Sequence, residues 1–169
     1  MKVHYTEEQD RKAFVRKVLD QFSPELALKK SIFLKPNLVS RDPYPATTHP
    51  DLLEALIAGL KSLGKEVVVA DGPSLDRGRN MVKKTEVHEA CLRQGVPVFS
   101  FKTFKAKRVR VQGSVYHVVQ TPFEYDYLIS LPVLKAHKLP EVMMTGALKN
   151  QFAFFSSLNR LKHHWFGSI

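Results

Sequence analysis

Cysteine is almost missing: Cys91 is the one example in 169 residues. A lone thiol excludes an internal disulfide and any zinc or iron–sulfur site built wholly from this chain's cysteines. Long apolar runs are missing too. No stretch approaches the roughly 18 residues of a membrane span, and the start, Met1-Lys2-Val3-His4-Tyr5-Thr6-Glu7-Glu8, holds no apolar signal-peptide core. A cytoplasmic protein without a membrane partner is the expectation. There is no G-x-x-x-x-G-K-[ST], G-x-G-x-x-G, G-x-S-x-G or H-E-x-x-H, so the commonest nucleotide, esterase and metalloprotease motifs are excluded. Acids are scarce: 26 basic against 16 acidic residues leave +10, which predicts attraction to polyanions or to small anions.

What is present suits one soluble domain. Hydrophobic residues at 44% and charged residues at 25% exclude disorder and collagen-like repeats. A chain of this length buries roughly two-thirds of its unfolded surface and needs no staples. Residues 6–22 predict an amphipathic helix capped by Thr6 and stopped by Ser23-Pro24. Ser31-Ile32-Phe33-Leu34 reads as a buried strand, residues 40–50 as a loop, and residues 51–63 as a helix ended by Gly64. Val67-Val68-Val69-Ala70 is the next strand. A helix over about residues 80–93, closed by Gly95, and a strand over residues 96–101 follow. Val109-Arg110-Val111-Gln112 and Val115-Tyr116-His117-Val118-Val119 flank Gly113-Ser114 and predict a β-hairpin near residues 107–120. Residues 125–132 give a further strand. This order predicts a single α/β domain over residues 1–169, a mostly parallel sheet flanked by helices, with the hairpin as an edge or insertion.

In open α/β sheets ligands bind beyond the carboxyl ends of the strands. Three predicted strands end in polar clusters: Lys35-Pro36-Asn37, Asp71-Gly72-Pro73-Ser74 and Lys135-Ala136-His137-Lys138. Lys149-Asn150 forms a fourth. A parallel sheet brings these to one edge, where cations, amides, a carboxylate and an imidazole suit a phosphate or carboxylate ligand. Each residue also has a plainer reading. Lys35 could be a solvated lysine, Asp71-Gly72 a generic turn, and His49 the residue before a helix that begins with Pro50. His137 is the more suggestive histidine, since an imidazole at a strand end can serve as acid, base or ligand. His163-His164 reads as surface, because adjacent histidines do not close a metal site without further ligands. Cys91 lies on an apolar helix face and reads as core.

A second surface competes for function. Between Glu89 and Glu124 stand Arg93, Lys102, Lys105, Lys107, Arg108 and Arg110 with no acid among them. Phe99, Phe101 and Phe104 interleave, as a nucleic-acid stacking surface would, or pack inward beneath a solvated basic hairpin.

Together the strand-end motifs resemble the domain-of-unknown-function 362 family. The matching segments are Lys35-Pro36-Asn37, Thr47-Thr48-His49-Pro50, Ala70-Asp71-Gly72-Pro73-Ser74, Asp126-Tyr127-Leu128-Ile129-Ser130-Leu131-Pro132, Leu134-Lys135-Ala136-His137 and Gly146-Ala147-Leu148-Lys149-Asn150. They run in order over residues 31 to about 155. The resemblance implies an α/β domain found beside 4Fe-4S ferredoxin modules in bacteria and archaea, hence a ferredoxin-type partner, and it implies no single reaction. It corresponds to the family's front portion; a truncated or split relative is expected, because a further acidic strand-end motif has no counterpart here. Ala136 stands where relatives commonly carry threonine, which removes one hydroxyl.

The expected function is binding of an anionic small molecule or cofactor of undetermined identity, in a redox-associated enzyme or enzyme subunit, with any metal undetermined too. His137, Asp71 and Lys135 are the expected catalytic residues. Lys35, Asn37, Ser74, His49, Lys149 and Asn150 are expected to hold the ligand or cofactor. Rival expectations are a nucleic-acid binder using residues 93–110, and a non-catalytic subunit or scaffold that pairs through an open sheet edge, as a homo-oligomer or with another chain.

Overall fold

The apolar runs predicted as strands pair into one parallel sheet. The computed structural model describes residues 3–7, 10–39, 41–72, 82–136, 144–156 and 159–161. In it β1 (Ser31–Lys35), β2 (Glu66–Asp71), β3 (Val98–Ser100) and β6 (Tyr127–Ser130) lie in the order β3-β2-β1-β6, all parallel. Side chains alternate along each strand. Ile32 and Leu34 of β1, with Val67 and Val69 of β2, join the core beneath α1 (Arg11–Ala27), α2 (Pro50–Ser62) and α3 (Glu86–Arg93). Phe33, Val68 and Ala70 face the other way, into a smaller aromatic core with Phe101, Val119 and Phe154. Helices therefore cover one face, and the antiparallel hairpin β4 (Ala106–Val111) and β5 (Ser114–Val119) lies on the other.

Several expected boundaries shift. The first helix begins at Arg11, capped by Asp10, whose carboxylate accepts the Ala13 N–H at 2.9 Å, and not by Thr6. It also runs through Pro24. A proline removes the N–H that would bond the Asp20 carbonyl, and the Ser23 hydroxyl supplies that bond instead, at 2.7 Å. Burial of Leu26, 2% exposed, rewards the extra turn. The third helix begins at Glu86, where Thr85 caps it by accepting the His88 N–H; residues 80–81 lie outside the described residues. The strand expected over 96–101 is cut short by a 3-10 turn, Phe101–Thr103, and the strand over 125–132 narrows to four residues. Gly64 and Gly95 do follow their helices with φ of +71° and +65°, as left-handed caps.

Beyond β6 the chain makes a two-residue pairing of β7 (Lys135–Ala136) with β8 (Met144–Thr145), then α4 (Ala147–Gln151) and a 3-10 turn, Phe152–Phe154. Among the described residues no helix is long and apolar enough to cross a membrane. Cys91 is buried in the helical core, and burial pushes its thiol up to about 12, so it is an inert core residue as expected.

One surface carboxylate locks the start of the central strand. Asp126 accepts the backbone N–H groups of Ser31 and Lys30 at 2.9 and 2.8 Å, and these bonds hold its carboxyl below the ordinary range. A depressed carboxyl stabilises the fold fully above the unfolded value of about 4 and loses that effect as pH falls through the folded value. Asp126→Ala is therefore expected to lower stability at pH 7 and to flatten the acid decline. Urea titrations between pH 7 and pH 2.5 check this: the two stability curves converge at the acid end, and parallel curves would refute it.

Candidate functional site

The site begins with the last residues of three adjacent strands. Lys35 ends β1, Asp71 ends β2 and Ser130 ends β6, with Lys35 in register with Ser130. Lys35 alternates to the same face as Phe33, which points its ammonium under the aromatic core instead of into water. It is fully buried. Its Nζ donates to Asp71 Oδ1 at 2.5 Å, to Asn150 Oδ1 at 2.9 Å and to the Pro36 carbonyl at 3.2 Å, which uses all three of its donors. The rings of Phe101 and Phe154 each lie with centroids 5.8 Å from the same nitrogen, within cation–π range. Burial pushes the Lys35 ammonium below the usual lysine range, and the Asp71 charge beside it opposes that shift.

The partners of Lys35 organise the edge around it. Asp71 accepts the Gly72 N–H on Oδ1 at 2.7 Å and the Leu38 N–H on Oδ2 at 2.5 Å, so one carboxylate ties the end of β2 to the loop leaving β1. Asn150 uses its other side-chain group to donate to Ser130 Oγ at 2.9 Å, which fixes α4 against β6. Asn37 is held on both sides by Thr48: its N–H donates to Thr48 Oγ1 and its carbonyl accepts the Thr48 N–H. The Thr48 hydroxyl in turn donates to the Leu131 carbonyl at 2.7 Å.

Above this network opens a cavity of about 350 Å³ whose polar lining residues are Asn37, Asp71, Lys135, Thr145, Lys149, Asn150 and Arg160. Lys35 and Asp71 neutralise one another, and among the described residues Lys135, Lys149 and Arg160 are the other cations of the wall. Lys135 donates to the Ala46 carbonyl at 2.9 Å, and burial lowers its pKa against the raising effect of Asp71. Arg160, 7% exposed, donates from Nη1 to the Gly72 carbonyl at 3.0 Å; burial lowers its pKa as well. Gly72 has little room. A Cβ there would stand 2.9 Å from the Ala153 carbonyl oxygen and 3.0 Å from the Phe101 ring, so the 3-10 turn rests directly on the tip of β2. Among the described residues no group of three His, Cys, Asp or Glu side chains is placed to hold a metal ion.

Six of the nine expected site residues thus meet: Lys35 and Asp71 in the buried pair, with Asn37, Lys135, Lys149 and Asn150 around the cavity. His49 does not line it. The ring instead caps α2, Nδ1 accepting the Asp51 N–H at 3.2 Å, and packs edge-on against Tyr44. His137 and Ser74 lie outside the described residues, as do His163 and His164. Lys35 is not the solvated lysine of the plainer reading. Ser130 stood in a quoted motif without a role assigned to it. Arg160 had no local signal, because it reaches Gly72 from 88 residues away. The basic run splits: Lys107, Arg108 and Arg110 are exposed on β4, while Phe101 packs inward against Phe33 and Phe154.

The fold and site together define an open parallel α/β protein with a buried lysine–aspartate pair and a basic cavity at the carboxyl ends of its strands. The family model described as Domain of unknown function (DUF362) matches residues 32–168, and the chain belongs to that family. Neither the curated proteins nor the solved structures gave a match.

Removing one member of a buried ion pair leaves the other charge uncompensated, at about 3–5 kcal/mol. Lys35→Met is expected to cost that much in urea unfolding. Asp71→Asn added to it recovers part of the loss, because the second change removes the stranded carboxylate. Strictly additive losses would show that the two residues are not coupled.

Proposed function

We propose that this protein binds an anionic small molecule, with a phosphate or carboxylate as the recognised group, in the cavity at the strand carboxyl ends. The observation that carries this reading is the convergence of Lys135 and Lys149, with Arg160 behind them, on one cavity where, among the described residues, the one lining carboxylate, Asp71, is already neutralised by Lys35. A site so arranged has surplus positive charge and fixed donors, which a planar or tetrahedral anion can match. Lys135 and Lys149 would pair with the anion directly. Asn37 and Asn150 would orient it. Lys35 would act from beneath, by holding Asp71 and Asn150 in place. His137, two residues after Lys135 in sequence, is the group we assign to proton transfer with bound ligand, and Ser74 after Gly72 is assigned a hydrogen bond to it.

The exposed Lys107, Arg108 and Arg110 of β4 support a second reading, nucleic-acid binding. Its signature is an affinity that collapses over a few-fold rise in salt.

Isothermal titration with inorganic pyrophosphate tests the first reading, and a single-stranded oligonucleotide titrated at two salt concentrations tests the second. Lys135→Ala and Lys149→Ala are each expected to weaken pyrophosphate binding about tenfold or more, the range for losing a charged hydrogen bond. Substituting Arg108 and Arg110 should leave pyrophosphate binding unchanged. Absent pyrophosphate binding, or binding indifferent to both lysines, overturns the cavity reading.

A further inference from the structure

A second cavity of about 320 Å³ opens beside the first, lined by Phe101, Phe104, Phe155 and Lys102, with Ala106 and Arg160 among the remaining wall residues. Arg160 lines both cavities. The two differ in chemistry. The first is walled by lysines and amides, the second by aromatic rings: Phe101 and Phe104 lie 6.0 Å apart at a tilt of 33°. Phe104 and Phe155 are only half buried, Phe104 beside Phe99 and Phe155 beside Tyr116 and Phe152.

We infer that the ligand has two parts, an anionic group in the basic cavity and a flat heteroaromatic ring among Phe101, Phe104 and Phe155, as in a nucleoside diphosphate. This inference rests on the anion-binding reading above and names the ligand class for the same site. The reasons are chemical. Aromatic rings stack on other rings in offset or edge-on geometry, and an arginine guanidinium stacks on aromatic faces while its N–H groups meet phosphate oxygens. A residue shared by both cavities can therefore touch both parts of one molecule. A saturated chain would use neither the ring faces nor the guanidinium plane. Each volume lies at the lower end of the small-ligand range, of order 300–1,000 Å³, so each suits a fragment and the two together suit a whole ligand.

The ring cavity is held in place by the fold. Phe155 forms an antiparallel bridge to Val118, the Ser156 N–H donates to the His117 carbonyl at 2.7 Å, and the His117 N–H donates to Asn159 Oδ1 at 2.7 Å. The hairpin thus grips the segment that carries both Phe155 and Arg160. That gives the hairpin a part in ligand recognition.

The test compares inorganic pyrophosphate with ADP and GDP on the wild-type chain by isothermal titration. At least one nucleotide should bind about tenfold more tightly than pyrophosphate, the lower range of base–aromatic stacking. Phe104→Ala should return that nucleotide to the affinity of pyrophosphate while leaving pyrophosphate itself unchanged. Ala106→Phe should do the same by filling the cavity; Ala106 is exposed on β4, so this variant removes no packing. Lys135→Ala should weaken all three ligands. Equal affinities for pyrophosphate and both nucleotides, or a loss that Ala106→Phe imposes on pyrophosphate as well, overturns the inference and leaves the anion reading standing. If neither pyrophosphate nor nucleotide binds, both readings fall.

Discussion

A lysine ammonium with no access to water is the constraint around which this molecule's working edge is arranged. Taking such a charge out of water costs several kcal/mol unless its surroundings replace the lost hydration. Here Asp71, Asn150 and the Pro36 carbonyl replace it, with the faces of Phe101 and Phe154 closing the remaining sides. Each acceptor belongs to a different piece of chain. Satisfying Lys35 therefore draws the end of β2, the loop after β1 and helix α4 together at one point. The same requirement makes the arrangement specific, since a displaced partner would leave a buried charge unmet.

A second constraint acts on the same face of the sheet. Among the described residues helices α1 to α3 cover one face, and the phenylalanines of the other need a cover of their own. The hairpin and the 3-10 turn after α4 provide it. Their closeness to the sheet depends on Gly72, where a side chain would collide with the Ala153 carbonyl. Because the hairpin also grips Phe155, Ser156 and Asn159, the element that completes the core carries Arg160 to the strand ends.

The site consequently has two tiers. Buried Lys35, Asp71 and Asn150, with half-buried Ser130, form a lower tier in which donors and acceptors are matched to one another. Lys135, Lys149 and Arg160 form an upper tier facing the cavity. In the complex proposed above, the lower tier would set positions, and the upper tier, with Asn37 and Asn150, would meet the anion. Membership of a family defined by its domain, and not by a reaction, leaves the chemistry of the cavity as the guide to function.

Much of this edge was legible from local sequence. Buried strands announce themselves as short apolar runs, and polar residues immediately after such runs in a parallel sheet gather at one edge. That reasoning reached Lys35, Asn37, Asp71, Lys135, Lys149 and Asn150 from the sequence alone. The family resemblance placed His49 with them too, although Pro50 beside it signalled the helix cap that the ring now forms. The stop expected at Pro24 failed for a local reason, a serine hydroxyl standing in for the missing N–H. Other features were decided only by tertiary structure. Whether Lys35 met water or a carboxylate depended on which face of the sheet it pointed to and what covered that face. Arg160 joined the site through contacts spanning 88 residues, and the second cavity arose where a hairpin met the segment that follows α4. Local pattern reports which residues end a strand; burial and long-range partners, which no local pattern encodes, decide what those residues become.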